Sequence, residues 1–368
     1  MRTYVWTLPT RAFHLIFAIY IVLSFLSSEW EYLLNIHAAL GYGIAVLLLF
    51  RLVWGVVGPR YSKFSDWPFS FKELKKFLLN IRSANQNYVG HNPAASWVMA
   101  GILATAFITT LSGMLTFGIQ EGRGLFSSLN STFFKQMEFF EEAHEFFATI
   151  LLWLIAIHMA GLITDRLLHK NGGALLSICH GYKSVKSENA KLNAYQKVVA
   201  AFFILLSLAV PIYALSTDSP LLKSEFTPIE YSKIEPDFVE ECASCHTLYP
   251  PFLLPTENWK VLMSGLESHF GDDASIDEEL SISIENFLTT NSADSSTKEA
   301  AVYIKHSLKN KKDIIAITDT AYWKKKHKEI PKSVFESKRV KSASNCKACH
   351  KNIENGLIED FEIEIPKG

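Results

Sequence analysis

The residues of this chain best suited to chemistry are cysteines and histidines at fixed spacings. Four of its five cysteines stand in two copies of one motif, Cys242-Ala-Ser-Cys245-His246 and Cys346-Lys-Ala-Cys349-His350. Two thiols at this spacing fit a redox disulfide or half a zinc site. A histidine directly after the second thiol changes the reading to covalent haem attachment. Two thioethers then fix the porphyrin while the adjacent imidazole is aimed at the iron. His246 and His350 become proximal ligands. Distal ligands must come from elsewhere, and His269, His327, His306 and Met263 are the candidates. The fifth cysteine, Cys179, stands alone and reads as an inert thiol.

A second set of histidines lies in apolar sequence. The run from about 143 to 164 carries His144 at its head and His158 fourteen residues on. In an α-helix, fourteen residues advance about 21 Å and stop about 40° short of a whole number of turns. Both imidazoles therefore look the same way at two depths. An imidazole in hydrocarbon is costly and needs a partner, so the pattern suggests two metal centres stacked across a bilayer.

Partners must come from other spans. Five segments reach or approach spanning length: about 11–28, 35–57, 95–118, 143–164 and 197–215. The first follows Arg2 and Arg11 as a signal peptide would. It lacks a small-x-small cleavage site and contains His14, so it reads as a retained span. Loops 58–93 and 165–197 each carry six basic residues against two acidic. This places them in the cytoplasm, the N-terminus inside and the C-terminal half outside. Segment 119–142 reads as an external loop with a short helix at the interface. Depth then matches His14 with His158, and His37 with His144, as two bis-histidine b haems in a four-helix core. For a single histidine, a core residue bonded to a carbonyl is the competing reading. Zinc also takes histidines, but the two pairs stand too far apart vertically to share one ion. His91, His169 and His180 fall in cytoplasmic loops and receive no ligand role.

The 368 residues mix two unlike halves, and a mean hydropathy of +0.13 is their average. Beyond about 216 the chain is polar and its charge is segregated. Residues 217–297 carry a net −13, 298–351 a net +10 and 352–368 a net −4. Such faces suit either plain solvation or docking of a charged redox partner. Nothing points to nucleic acid.

Several stretches of the first half resemble the bacterial cytochrome b561 and nickel–iron hydrogenase cytochrome b family. They are Trp6-Thr-Leu-Pro-Thr-Arg11-Ala-Phe-His14, His37-Ala-Ala-Leu-Gly41-Tyr42, Arg51-Leu-Val-Trp54-Gly55-Val-Val-Gly58-Pro-Arg60-Tyr61, Glu142-Ala-His144-Glu145 and His158-Met-Ala-Gly161. The resemblance covers about 1–185. It implies that the histidines of spans one, two and four ligate two b haems, and it supplies the idea of quinol as donor. Arg11, Arg51 and Arg60 could hold haem propionates or lipid phosphates, or serve as positive-inside anchors. Thr7 stands where relatives often have Asp, and Cys179-His180-Gly181 replaces a more usual small or hydroxyl residue before the glycine.

The second half resembles the dihaem cytochrome c domain over about 237–355. The resembling pieces are Cys242-x-x-Cys245-His246-x-x-Tyr249-Pro-Pro251, Trp259, His269-Phe-Gly-Asp-Asp273, Trp323-x-x-x-His327 and Ser344-Asn-Cys346-x-x-Cys349-His350. In that family both irons are bis-histidine, which points to His269 and His327. Sequence proximity pairs His246 with His269 and His350 with His327.

The expected fold is all-α: an integral membrane four-helix haem-binding bundle, a fifth transmembrane helix, and a small, mainly helical c-type dihaem domain. The expected domains are 1–190, 191–236 (fifth span and linker) and 237–368. The cofactors expected are two non-covalent b haems and two covalent c haems, with quinone or quinol as redox substrate. The expected role is electron transfer between the quinol pool and a soluble periplasmic protein, from the bacterial inner membrane. A homodimer is compatible with the sequence. The alternatives are a membrane subunit of a dehydrogenase or hydrogenase, and an outer-face enzyme acting on superoxide, peroxide or a nitrogen oxide. Haem sensing is a further, non-redox reading.

Overall fold

The computed structural model describes residues 2–81, 88–135, 139–168, 174–217, 219–358 and 363–366. His169 therefore lies outside the described residues. The chain divides into two units. One comprises Met1–Phe117 and Met137–Lys223, the other Gly118–Gln136 and Ser224–Gly368.

The N-terminal unit holds five helices long and apolar enough to cross a membrane: α1 (Leu8–Ser27), α2 (Leu34–Val57), α3 (Pro93–Glu121, whose last turn falls in the other unit), α4 (Phe139–Leu168) and α5 (Ala194–Ala214). Helices of this length and apolar composition are those of a multi-pass membrane protein. Each start has a local cause. Pro9 sits in the first turn of α1, where its missing N–H costs nothing. Asn193 opens α5 with a capping box, accepting from Gln196 N–H at 2.8 Å while the Gln196 side chain accepts from the Asn193 backbone. The Gln196 amide then donates to the Val57 carbonyl at 2.8 Å, satisfying the end of α2.

The fifth helix is more than the tether its sequence suggested. It packs with α1 along α2. A Cβ on Gly43 would come within 2.6 Å of the Tyr20 ring and 2.7 Å of Pro211, so glycine lets these three helices approach. Pro211 cannot donate to the carbonyl four residues back, which is that of Ser207. Tyr20 donates its hydroxyl to that carbonyl at 3.0 Å. Phe13, Phe17, Leu47, Phe50 and Trp54 fill the core between them, joined by Ala106 of α3 and Leu151 of α4.

A two-stranded antiparallel ladder ties the N-terminus to the stretch after α4. Thr3 pairs with Lys183, and Tyr4 with Tyr182. Trp6 is fixed beside it by a 3.0 Å hydrogen bond from Nε1 to Ser177 Oγ.

The C-terminal unit is built from short helices, among them α6 (Pro236–Cys242), α7 (Thr256–Met263), α8 (Glu278–Thr290), α9 (Glu299–Ser307) and α10 (Ala321–Lys326). Phe238, Trp259, Ile284, Leu288 and Ile304 form its core. Of the segment 119–142, expected to be an external loop with an interfacial helix, the part up to Gln136 belongs to this unit. Glu225 N–H donates to the Gly122 carbonyl at 2.8 Å, and Lys135 donates to the Thr297 carbonyl.

Asn258 clamps this unit. Its side chain is buried and donates to the carbonyls of Lys311 at 2.9 Å and Ile314 at 2.8 Å. Asn258→Ala strands both carbonyls and is expected to cost about 1–3 kcal/mol. Denaturant unfolding of the full chain, followed by tryptophan fluorescence, checks this; an unchanged midpoint would contradict it.

Candidate functional site

In the N-terminal unit the structure brings histidines together across helices. His37 of α2 and His144 of α4 have ring centroids 6.0 Å apart, with planes at 86°. His14 of α1 and His158 of α4 are electrostatic neighbours. His37 Nδ1 lies 2.9 Å from the Ser24 carbonyl, and His144 Nδ1 lies 2.9 Å from the Thr109 carbonyl. A carbonyl can only accept, so each Nδ1 carries the proton and each Nε2 keeps its lone pair. Gly113 makes the second contact possible. A Cβ there would sit 2.6 Å from the His144 ring.

The C-terminal unit forms two further pairs. His246 and His269 have centroids 6.2 Å apart at 26°, and His327 and His350 have centroids 6.2 Å apart at 58°. Local structure aims three of the four rings; among the described residues, the buried His350 Nδ1 has no hydrogen-bond partner. His246 Nδ1 donates to the Thr247 carbonyl at 2.7 Å. His327 Nδ1 donates to the Trp323 carbonyl at 2.9 Å, and its ring stacks on Trp323 at 4.4 Å. His269 sits at the start of a tight turn closed by backbone bonds to Asp272. Phe270 (φ 53°) and Gly271 (φ 102°) take left-handed conformations to make that turn. The two cysteine motifs adjoin. Tyr249 lies 5.0 Å from the His246 ring and donates its hydroxyl to the Ser344 carbonyl at 2.6 Å, just before Cys346.

The spacing discriminates between partners. Two imidazoles on one iron, with metal–nitrogen bonds of about 2 Å, place their centroids about 6.3 Å apart. A direct imidazole–imidazole hydrogen bond would bring them to about 5 Å. The three measured pairs, at 6.0, 6.2 and 6.2 Å, match the first distance. Protonation fits as well. Burial lowers the pKa of His269, helped by His246, and that of His327. Burial, helped by His327, pushes His350 down to about 4. These rings are neutral near pH 7, as metal ligands must be. Burial pushes the Cys242 and Cys346 thiols up to about 11. Among the described residues no cluster of three metal-ligating side chains occurs. The residues fit haem.

The remaining candidates separate cleanly. Met263 is buried in the apolar core, and His306 is exposed on α9. Neither joins a pair. His180 accepts from the Tyr182 N–H at 3.1 Å in a local turn. His91 is the surprise: its ring centroid lies 4.9 Å from those of both Trp6 and Trp67. No periodicity marks it, because the packing arises from three separated segments.

A family model described as prokaryotic cytochrome b561 matches residues 5–181, and one described as dihaem cytochrome c matches residues 238–358. Among solved structures, the chain is similar to a dihaem cytochrome c from Shewanella baltica OS155. The identity is 32% over 35% of this chain and 91% of that chain, with a TM-score of 0.29. It is also similar to a dihaem cytochrome c from Rhodobacter sphaeroides, at 36% identity over 36% of this chain and 100% of that chain, with a TM-score of 0.31. No curated protein matches the chain.

Gly113→Ala is expected to push His144 off its position and lower the acid–acetone-extractable haem, leaving covalent haem unchanged. Pyridine haemochrome spectra before and after extraction check this. Extractable haem equal to the parent's would contradict the role of Gly113.

Proposed function

Residues 5–181 belong to the prokaryotic cytochrome b561 family and residues 238–358 to the dihaem cytochrome c family, and from that premise we propose that this membrane haem electron-transfer protein moves electrons between the quinol pool and a soluble periplasmic redox protein. His14 with His158 and His37 with His144 hold two b haems. His246 with His269 and His350 with His327 hold two c haems, anchored through Cys242, Cys245, Cys346 and Cys349. The observation that carries the reading is the pairing itself, at centroid distances of 6.0–6.2 Å in the three measured pairs.

Haem would supply one-electron transfer when bound, and a pair of imidazoles holding each iron would leave no site on it for a small substrate. The protein's part is to hold each ring pair rigid. The carbonyls of Ser24, Thr109, Thr247 and Trp323 fix four of the rings in one tautomer and orientation. Closed positions also weigh against peroxide or nitrogen-oxide reduction, which needs an open iron; superoxide oxidation, a one-electron outer-sphere step, stays compatible with them.

The orientation rests on the lysine- and arginine-rich loops 58–93 and 165–197. It puts the N-terminus in the cytoplasm of a bacterial inner-membrane protein and the c haems in the periplasm. The segregated charge of 217–297 and 298–351 supports a charged partner there.

Quinol added to the purified chain in detergent is expected to reduce the b bands first and the c bands after them. His144→Ala should break the sequence before the c bands. If no quinol reduces the protein, a dehydrogenase-linked subunit becomes the better reading.

A further inference from the structure

At one end of the N-terminal unit, buried donors collect without acceptors. Arg51 of α2 is 6% exposed. Its guanidinium lies over the rings of Phe64 at 4.5 Å and Trp67 at 5.0 Å. Among the described residues, Arg51 Nη1, Trp67 Nε1 and His91 Nδ1 are all buried without a hydrogen-bond partner. Lys183 stands across Trp6, with Nζ 5.4 Å from that ring and donating to the Gly90 carbonyl at 2.7 Å. Lys183, Arg51 and His158 all act on His91 electrostatically. The carboxylate that acts on Lys183 is Asp165.

The other two arginines raised by the sequence are already engaged. Arg11 donates to the carbonyls of Ile178, at 3.2 Å, and Cys179. Arg60 pairs with Glu188. Among the described residues, Arg51 lies over the rings of Phe64 and Trp67 and its Nη1 meets no acceptor. A guanidinium carries donors only and does not discharge by losing its proton. Buried, it calls for an anion. A cluster of donors around two cations matches an acceptor-only ligand, and a carboxylate suits the guanidinium fork best.

We propose that Arg51, Lys183 and His91 form a carboxylate site for the propionate groups of the haem carried by His14 and His158. This rests on those two histidines holding a haem. Packing links the two features: Trp54, one turn beyond Arg51 on α2, donates Nε1 to Thr10 Oγ1 at 3.1 Å, one turn before His14 on α1, and the rings of Phe13 and Phe50, which neighbour His14 and Arg51 in sequence, lie 6.0 Å apart. Two positive charges at the haem's carboxylates favour the reduced iron, which is less positive. They therefore raise the potential of this haem above its value without them.

The test is redox titration of the full chain in lipid nanodiscs, resolving the two b haems. Arg51→Gln and Lys183→Gln are each expected to lower the potential of one b haem only. The expected size is about a tenfold change in its reduction equilibrium constant, or about 59 mV for one electron. Arg51→Lys should restore most of the shift, while Arg11→Gln and Arg60→Gln should give none. Lys183 lies outside the spans, so its variant keeps the test valid if the Arg51 variants fail to assemble. Unshifted potentials in Lys183→Gln and in any Arg51→Gln chain that assembles would overturn the site. So would a loss of tightly bound phospholipid, by native mass spectrometry, with potentials unchanged; the anion would then be a lipid phosphate. A parent chain with a single b haem would overturn the His14–His158 reading itself, and the site with it.

Discussion

The constraint on which the rest depends is the two-sided nature of imidazole. One nitrogen must give up a proton to an acceptor while the other offers a lone pair. In the interior of a helical bundle neither water nor spare backbone groups serve both needs. The chain answers with carbonyls on one side and a facing imidazole at about 6 Å on the other, as for His37 and His144. A separation of that size, too wide for a hydrogen bond between rings, leaves room for one metal ion.

The two units reach the same pairing by different means. In the membrane unit, regular helices fix depth, and fourteen residues of α4 separate its two rings. Gly113 then allows His144 to lie against α3. Rigidity comes from the close packing of α1, α2 and α5, where Tyr20 takes up the carbonyl that Pro211 leaves free. In the C-terminal unit, short helices and turns aim the rings. The left-handed turn at Phe270–Gly271 presents His269, and the stacked Trp323 presents His327. Tyr249 and Ser344 bind the two attachment motifs to each other, so their geometries are not independent.

Much of this was legible in the sequence because it follows from short-range rules. The attachment motifs declare themselves by spacing, and the two histidines of α4 by helical period. The five spans are visible in hydropathy. What escaped is long-range. Gly113 looked like any membrane glycine until its contact with the His144 ring on another helix was known. The fifth span showed no sign that Pro211 and Ser207 meet Tyr20. Segment 118–136 folds with the C-terminal unit because of bonds to Glu225 and Thr297, which no local pattern announces. His91 and Lys183 read as loop residues. The ladder between Thr3–Tyr4 and Tyr182–Lys183 brings Lys183 beside Trp6, and a ring contact with Trp6 brings His91 there.

The central claim is that every iron in this chain is closed by two imidazoles, so that the protein conducts electrons and does not bind a small substrate. Exposing the dithionite-reduced protein to carbon monoxide tests it most directly. The account predicts unchanged b and c absorption bands, with no carbon monoxide taken up. Stoichiometric binding at one haem would contradict it.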